Sequence, residues 1–262
     1  MKLTFWGFIQ IAVLSISAVV QADELFEVPT RPGVTVRTSI IVPDKPKAVA
    51  VLFAGSHGTI KIRVDGTIAS QGNFLIAARQ QFAKRQVIAV AIDAPSDQIR
   101  DYGNMQYGFR ESSDHVTDIG LVIAALKQRF QLPVWLVGTS RGTTSVAYAA
   151  SKLQKNKPHG IVLTSSMNVD SRKGGNLLRM ELAKIVVPAL VVHHKDDGCR
   201  VTTFLGAEQI TRRLVNAPVK KLMAFEGGKT VSDPCGPKAH HGYLGQRGKV
   251  VKEIVAWMLA HQ

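Results

Sequence analysis

Residues Trp135–Leu153 read WLVGTSRGTTSVAYAASKL. Apolar residues lead into Gly138-Thr139-Ser140-Arg141-Gly142, and a stretch with helical spacing follows. A chain that turns from strand to helix within two or three residues passes through a strained backbone conformation. Glycines two before and two after Ser140 remove the Cβ atoms that would collide there. The serine hydroxyl is then raised above the end of the strand, at the positive end of the helix. Five residues in the pattern G-x-S-x-G carry little weight alone; the apolar run before them and the helix after them supply the context. The competing reading makes Ser140 a helix N-cap, a common place for serine.

Working outward, further short and continuous apolar runs stand at Ala48–Ala54, Val87–Ile92, Val134–Val137, Ile161–Leu163 and Ala189–Val192, with Lys221–Phe225 led in by a lysine. Such runs fit strands buried on both faces of a parallel sheet. Between them, Asn73–Lys84, Ser113–Phe130, Thr143–Leu153, Thr203–Val215 and Gln246–Ala260 carry apolar residues three and four apart, which predicts helices. Leu25–Pro43 alternates apolar and polar around Pro32-Gly33, which predicts an antiparallel hairpin at a sheet edge. The expectation is a doubly wound, mostly parallel α/β sheet with an antiparallel N-terminal hairpin. Ligands of such sheets bind beyond the carboxyl ends of the strands, so the loops there matter most.

The chain has 262 residues, enough for one large α/β domain, and 45% hydrophobic residues supply its core. Aromatics are sparse at 6% and no nucleic-acid motif is present, so no nucleic-acid partner is expected. The formal net charge of +14 is spread along the chain and reads as a basic surface. Residues 1–22 open with Lys2, continue mostly apolar to Val20, and end in Gln21-Ala22 before Asp23-Glu24. This is the pattern of a signal peptide cleaved after Ala22, leaving a domain over 23–262 that is periplasmic or secreted and not stably inserted in a membrane. In an oxidising compartment the two cysteines, Cys199 and Cys235, are expected to form one disulfide.

With a strand, a G-x-S-x-G bend and a helix in this order, the sequence resembles the α/β-hydrolase superfamily. In size and layout it resembles the dienelactone-hydrolase-like branch, over nearly the whole of 23–262. The resemblance implies a nucleophile, an acid and a base in the chain order Ser, Asp or Glu, His. Ser140 is then the nucleophile. Of the histidines after the later strands, His261 is the penultimate residue, which leaves His240 and His241. His241-Gly242-Tyr243 is similar to the His-Gly-aromatic pattern of that branch, so His241 is the expected base and His240 the alternate. The acid is expected in the loop after Ala189–Val192, where Asp196 and Asp197 stand; the superfamily's spacing favours Asp197, with Asp196 the alternate and Asp170 a more distant one. Cys199 lies close behind Asp197 and Cys235 shortly before His241, so a bond between them would staple the acid loop to the histidine loop.

A tetrahedral oxyanion needs donors already in place. The resemblance assigns one to the backbone N–H of Arg141 and the other to the loop Gly55-Ser56-His57-Gly58, with Ser56 preferred over His57. That loop departs from the family pattern in lacking the usual His-Gly opening. Lys61, Arg63, Arg110 and Arg141 are candidates to line the mouth of the site, against the plainer reading of solvated surface charge. GGKT at 227–230 is not a phosphate loop, because the pattern puts glycine at position 223, which is Met. Neither His193-His194 nor His240-His241 chelates easily, since adjacent residues on a strand face opposite ways, so neither metal nor cofactor is expected.

The implied activity is hydrolysis through an acyl-enzyme, with small or polymer-borne carboxylic esters as substrates. The short stretch between Ile161–Leu163 and Ala189–Val192 leaves no room for a large lid. A catalytically inactive binding module and a serine peptidase or thioesterase are the alternatives. The acyl group, the leaving group and the oligomeric state are not legible in the sequence.

Overall fold

The structure, a computed structural model, describes residues 23–99 and 105–262. The proposed signal segment, residues 1–22, therefore lies outside the described residues. Eight strands form one open sheet in the order β1-β2-β4-β3-β5-β6-β7-β8. β1 (Glu24–Arg31) and β2 (Val34–Ile41) make the antiparallel hairpin, and β2 also runs antiparallel to β4. From β4 (Val87–Ile92) onward, β3 (Ala48–Phe53), β5 (Val134–Thr139), β6 (Gly160–Thr164), β7 (Ala189–His194) and β8 (Lys220–Phe225) are all parallel.

The continuous apolar runs are explained by the two layers they serve. On β3, Val49, Val51 and Phe53 join one core, while Ala48, Ala50 and Leu52 join the other. The first core is closed by α2 (Ser113–Phe130), α3 (Gly142–Lys152) and α4 (Phe204–Arg213), through residues such as Ile119, Val146 and Ile210. The second is closed by α1 (Phe74–Ala83) and α5 (Arg247–Ala260), through Phe74, Phe82, Ile254 and Met258. A strand covered on both faces has no side for polar residues, so alternation disappears from its sequence.

Helix starts follow local chemistry. The Asn73 side chain accepts from Leu75 N at 3.1 Å and caps α1, and Thr203 Oγ1 accepts from Gly206 N at 3.1 Å and caps α4. The segment between β6 and β7 folds as two short 3₁₀ turns, Leu177–Arg179 and Leu182–Lys184. Among the described residues, no helix is long and apolar enough to cross a membrane.

Candidate active site

The bend between β5 and α3 is as tight as the glycine pattern requires. A Cβ on Gly138 would lie 2.6 Å from Gly142 O, and one on Gly142 would lie 2.2 Å from Phe53 O. Any side chain at either position would push the helix off the sheet. Ser140 sits at φ 52°, a left-handed conformation costly for a residue with a Cβ. It is held there by Ser140 N donating to Thr164 O at 3.0 Å and by Thr143 Oγ1 donating to Ser140 O at 2.6 Å. No side chain caps the start of α3, so the Ser140 hydroxyl is not spent on the helix. The N-cap reading of this serine fails on that geometry.

The loop after β3 lies directly over the bend. A Cβ on Gly55 would come within 2.9 Å of Ser140 Cβ. Ser56 is exposed and also left-handed, at φ 53°. Neither Arg141 N–H nor Ser56 N–H meets a carbonyl among the described residues. Arg141 follows Ser140 in the bend, and Ser56 follows Gly55, the residue packed against it.

His241 belongs to a single 3₁₀ turn, His240–Gly242, ahead of α5. It is 5% exposed, and its Nδ1 lies 2.9 Å from Asp197 Oδ2. A carboxylate only accepts, so the ring proton sits on Nδ1 and Nε2 keeps its lone pair. The backbone of this turn is anchored by Ser165 Oγ, which donates to His241 O at 2.9 Å. Asp197, in the loop after β7, has a fully buried side chain. Its Oδ1 accepts from Cys199 N at 3.0 Å, and its Oδ2 accepts from Thr202 Oγ1 at 3.0 Å as well as from His241. Burial alone would raise this carboxyl; His193, within 3.4 Å, and the hydrogen bond from His241 outweigh it and hold it below the usual carboxylate range.

Ser140, Ser56, His57 and His241 all line one cavity of about 280 Å³, open to solvent and walled on other sides by Phe74, Ile60 and Pro237. No hydrogen bond joins Ser140 to His241 in this structure; in unliganded sites such bonds are often long and tighten with substrate. Cys235 lines the same cavity, and its disulfide to Cys199 joins the cavity wall to the loop that carries Asp197.

The remaining candidates lie elsewhere. His240 turns away from the cavity and stacks on His194, with ring centroids 4.3 Å apart. Asp196 is exposed and contributes its backbone: N donates to His194 Nδ1 at 3.0 Å, and O accepts from His240 Nδ1 at 3.0 Å. His194, Asp196 and His240 thus bring possible metal-binding atoms within 4.8 Å of one another, an association that the sequence pairs did not suggest. Both ring nitrogens of His194 are engaged in this cluster, Nε2 with Gly227 O at 2.6 Å. Asp170 is exposed and pairs with Arg179.

None of the four cations lines the cavity. Arg110 is buried rather than solvated, donating to Ser145 Oγ at 2.7 Å and Ala54 O at 3.1 Å. Desolvation and the neighbouring Arg141 push its guanidinium down to about 9. The Arg141 side chain donates to Gly174 O and Ser171 Oγ, and Lys61 and Arg63 line a separate groove with Arg37. Thr202, His193 and Ser165, which contact Asp197 and His241, carry no local sequence signal.

No family model matches the sequence, and no curated protein is similar to it in sequence. Solved structures are similar in fold. A cold-adapted esterase from an Arctic intertidal metagenomic library superimposes with a TM-score of 0.61 at 15% identity, over 91% of this chain and 92% of that one. A dienelactone hydrolase from Anabaena variabilis gives 0.61 at 12% identity, over 92% and 98%. A soluble variant of the monoglyceride lipase of Saccharomyces cerevisiae gives 0.67 at 11% identity, over 96% and 99%. At these identities the likeness is one of fold, and the chain has the α/β-hydrolase fold.

Proposed function

We propose that this chain is an exported serine hydrolase that cleaves small or polymer-borne carboxylic esters through an acyl-enzyme. One observation carries the reading: a serine in a left-handed bend and a histidine tied through Nδ1 to a buried carboxylate line the same cavity. Ser140 Oγ attacks the ester carbonyl as His241 Nε2 takes its proton. The oxyanion is held by the N–H groups of Arg141 and Ser56. His241 gives the proton to the leaving alcohol, then activates the water that frees Ser140. Asp197 fixes the ring and stabilises the imidazolium, which needs a carboxylate that stays ionised, as this one does.

The cavity supports the substrate size. Its volume lies at the small end of ligand sites, and among the described residues no lysine, arginine, aspartate or glutamate lines it. A short uncharged acyl group fits that lining. Export is supported by the disulfide and by the signal pattern of residues 1–22.

Turnover of p-nitrophenyl acetate by purified protein tests the reading. Ser140→Ala is expected to lower kcat by at least about a thousandfold, and a fluorophosphonate should label Ser140. Turnover that survives this substitution excludes the mechanism. Absence of both turnover and labelling leaves a binding module in its place.

A further inference from the structure

The acid–base pair has a third member. Thr202 is fully buried, in the loop between Asp197 and α4. Its Oγ1 stands 3.0 Å from Asp197 Oδ2 and 3.1 Å from His241 Nδ1, so one hydroxyl touches both partners at their shared contact. The carboxylate can only accept, so the threonine proton points to Asp197, and a threonine lone pair faces the proton on His241 Nδ1. The residue is fixed from behind. His193 Nε2 donates to Thr202 O at 2.8 Å, Thr202 N donates to Cys199 O at 3.0 Å, and the next residue caps α4. Because Nε2 must carry the ring proton, His193 Nδ1 is left buried and without a partner among the described residues. A buried nitrogen left unpaired costs stability. The same ring brings Nε2 within 3.4 Å of Asp197 Oδ2.

We propose that Thr202 is a positioning residue for the reaction, its hydroxyl selecting the carboxylate oxygen that faces His241 and holding the ring in plane with it. This rests on the assignment of His241 as the base and Asp197 as its acceptor. Without the hydroxyl, Asp197 Oδ2 keeps His241 and the more distant His193, and the ring is free to pivot about a single bond. Other titratable groups around the pair are Asp196 and His240, their chain neighbours, which meet each other and His194, the Tyr243 hydroxyl, which meets Ser165, His57 across the cavity, and Arg247 on the carbonyl of Gly242.

Steady-state kinetics of Thr202→Val and Thr202→Ser on p-nitrophenyl acetate test the proposal. Valine keeps the shape and removes the hydroxyl; serine keeps the hydroxyl. Thr202→Val is expected to lose about ten- to a hundredfold in kcat with KM within twofold, while Thr202→Ser stays near wild type. The pH profile separates positioning from packing. Removing a donor leaves the carboxylate charge less satisfied, so it holds the imidazolium more tightly. The acid limb of kcat/KM should therefore move up by about half a pH unit in Thr202→Val. The neutral lone pair lost at the same time matters less, because Nδ1–H keeps its shorter bond to an ionised acceptor.

A kcat within twofold of wild type in Thr202→Val, an acid limb that is unmoved or lowered, or a serine variant as impaired as the valine variant overturns the proposal. Failure of the parent reading is distinguishable, since it shows as turnover unaffected by Ser140→Ala. In a protein without turnover, proton NMR still decides. The His241 Nδ1–H resonance should be slow to exchange in wild type and Thr202→Ser, and lost to exchange in Thr202→Val; persistence in the valine variant overturns the proposal.

Discussion

Two carboxylates are buried at the carboxyl edge of the same sheet and behave in opposite ways. Asp93 follows β4 and is 4% exposed; Asp197 follows β7 with a fully buried side chain. Asp93 accepts from Ile60 N, Ile62 N and Ala94 N at 2.8 to 2.9 Å, yet burial wins and raises its carboxyl above the ordinary value. Asp197 accepts one backbone N–H, a hydroxyl and an imidazole N–H, and its carboxyl is lowered. Equal burial does not set the direction of the shift. Backbone dipoles leave the cost of desolvation standing, whereas imidazoles, which can take up charge, reverse it. Asp93 is suited to holding a loop, and Asp197 to stabilising an imidazolium.

The contrast breaks most sharply under Asp197→Asn. Turnover should fall by about a thousand- to ten-thousandfold, because asparagine cannot hold the Nδ1–H tautomer; kcat measured on a short ester checks this. An equal loss in Asp93→Asn would erase the distinction. Next in size is the disulfide, which fastens the Asp197 loop but not the Asp93 loop. Cysteines 36 residues apart close a loop worth about 3–4 kcal/mol. Cys199→Ser with Cys235→Ser should lower the unfolding free energy by about that amount in urea, and lower kcat as well, since Cys199 N holds Asp197 Oδ1. Asp93→Asn should cost about 1–3 kcal/mol through the backbone donors it leaves poorly matched. Ile60 lines the cavity, so KM should rise more than kcat falls.

The smallest effect lies in the pH dependence of stability. The folded value of Asp197 is depressed, so its contribution is present above the unfolded value of about 4 and is lost as pH falls below it. The folded value of Asp93 is raised, so wild type loses stability as pH rises from about 4 through that value. Urea unfolding between about pH 3 and pH 7 should therefore show the advantage of wild type over Asp197→Asn shrinking toward acid. Its balance against Asp93→Asn should improve toward acid. Slopes of the same sign in the two series would refute the contrast.

The fold was largely legible because buried parallel strands are written as apolar runs. Val87–Ile92 and Ser113–Phe130 match the structure to the residue, and the N-terminal hairpin turns at Pro32-Gly33 as expected. The strand order, with β4 inserted between β2 and β3, was not legible, since no local pattern records which run lies beside which. Near the candidate site, the bend at Ser140 was readable because it demands glycines on both sides, and the pairing of Cys199 with Cys235 because no other cysteine exists. Thr202 and His193 were not readable: a buried threonine and a strand histidine look like core until the chain folds and sets them against Asp197. Arg110 shows the reverse error. A charged residue was assigned to water by its type, and the fold placed it under the loop after β3, bonded to Ala54 O.

The neutral lining of the cavity has a consequence for how encounter and selection divide. The chain carries an excess of positive charge, yet among the described residues no lysine or arginine lines the cavity. Long-range attraction can gather an acidic carrier on the outside of the molecule, and added salt will weaken that gathering. For the proposed ester hydrolysis, what is accepted into the cavity is then decided by size and by the cost of stripping water from a group, so the same salt should leave the ranking of acyl chains unchanged.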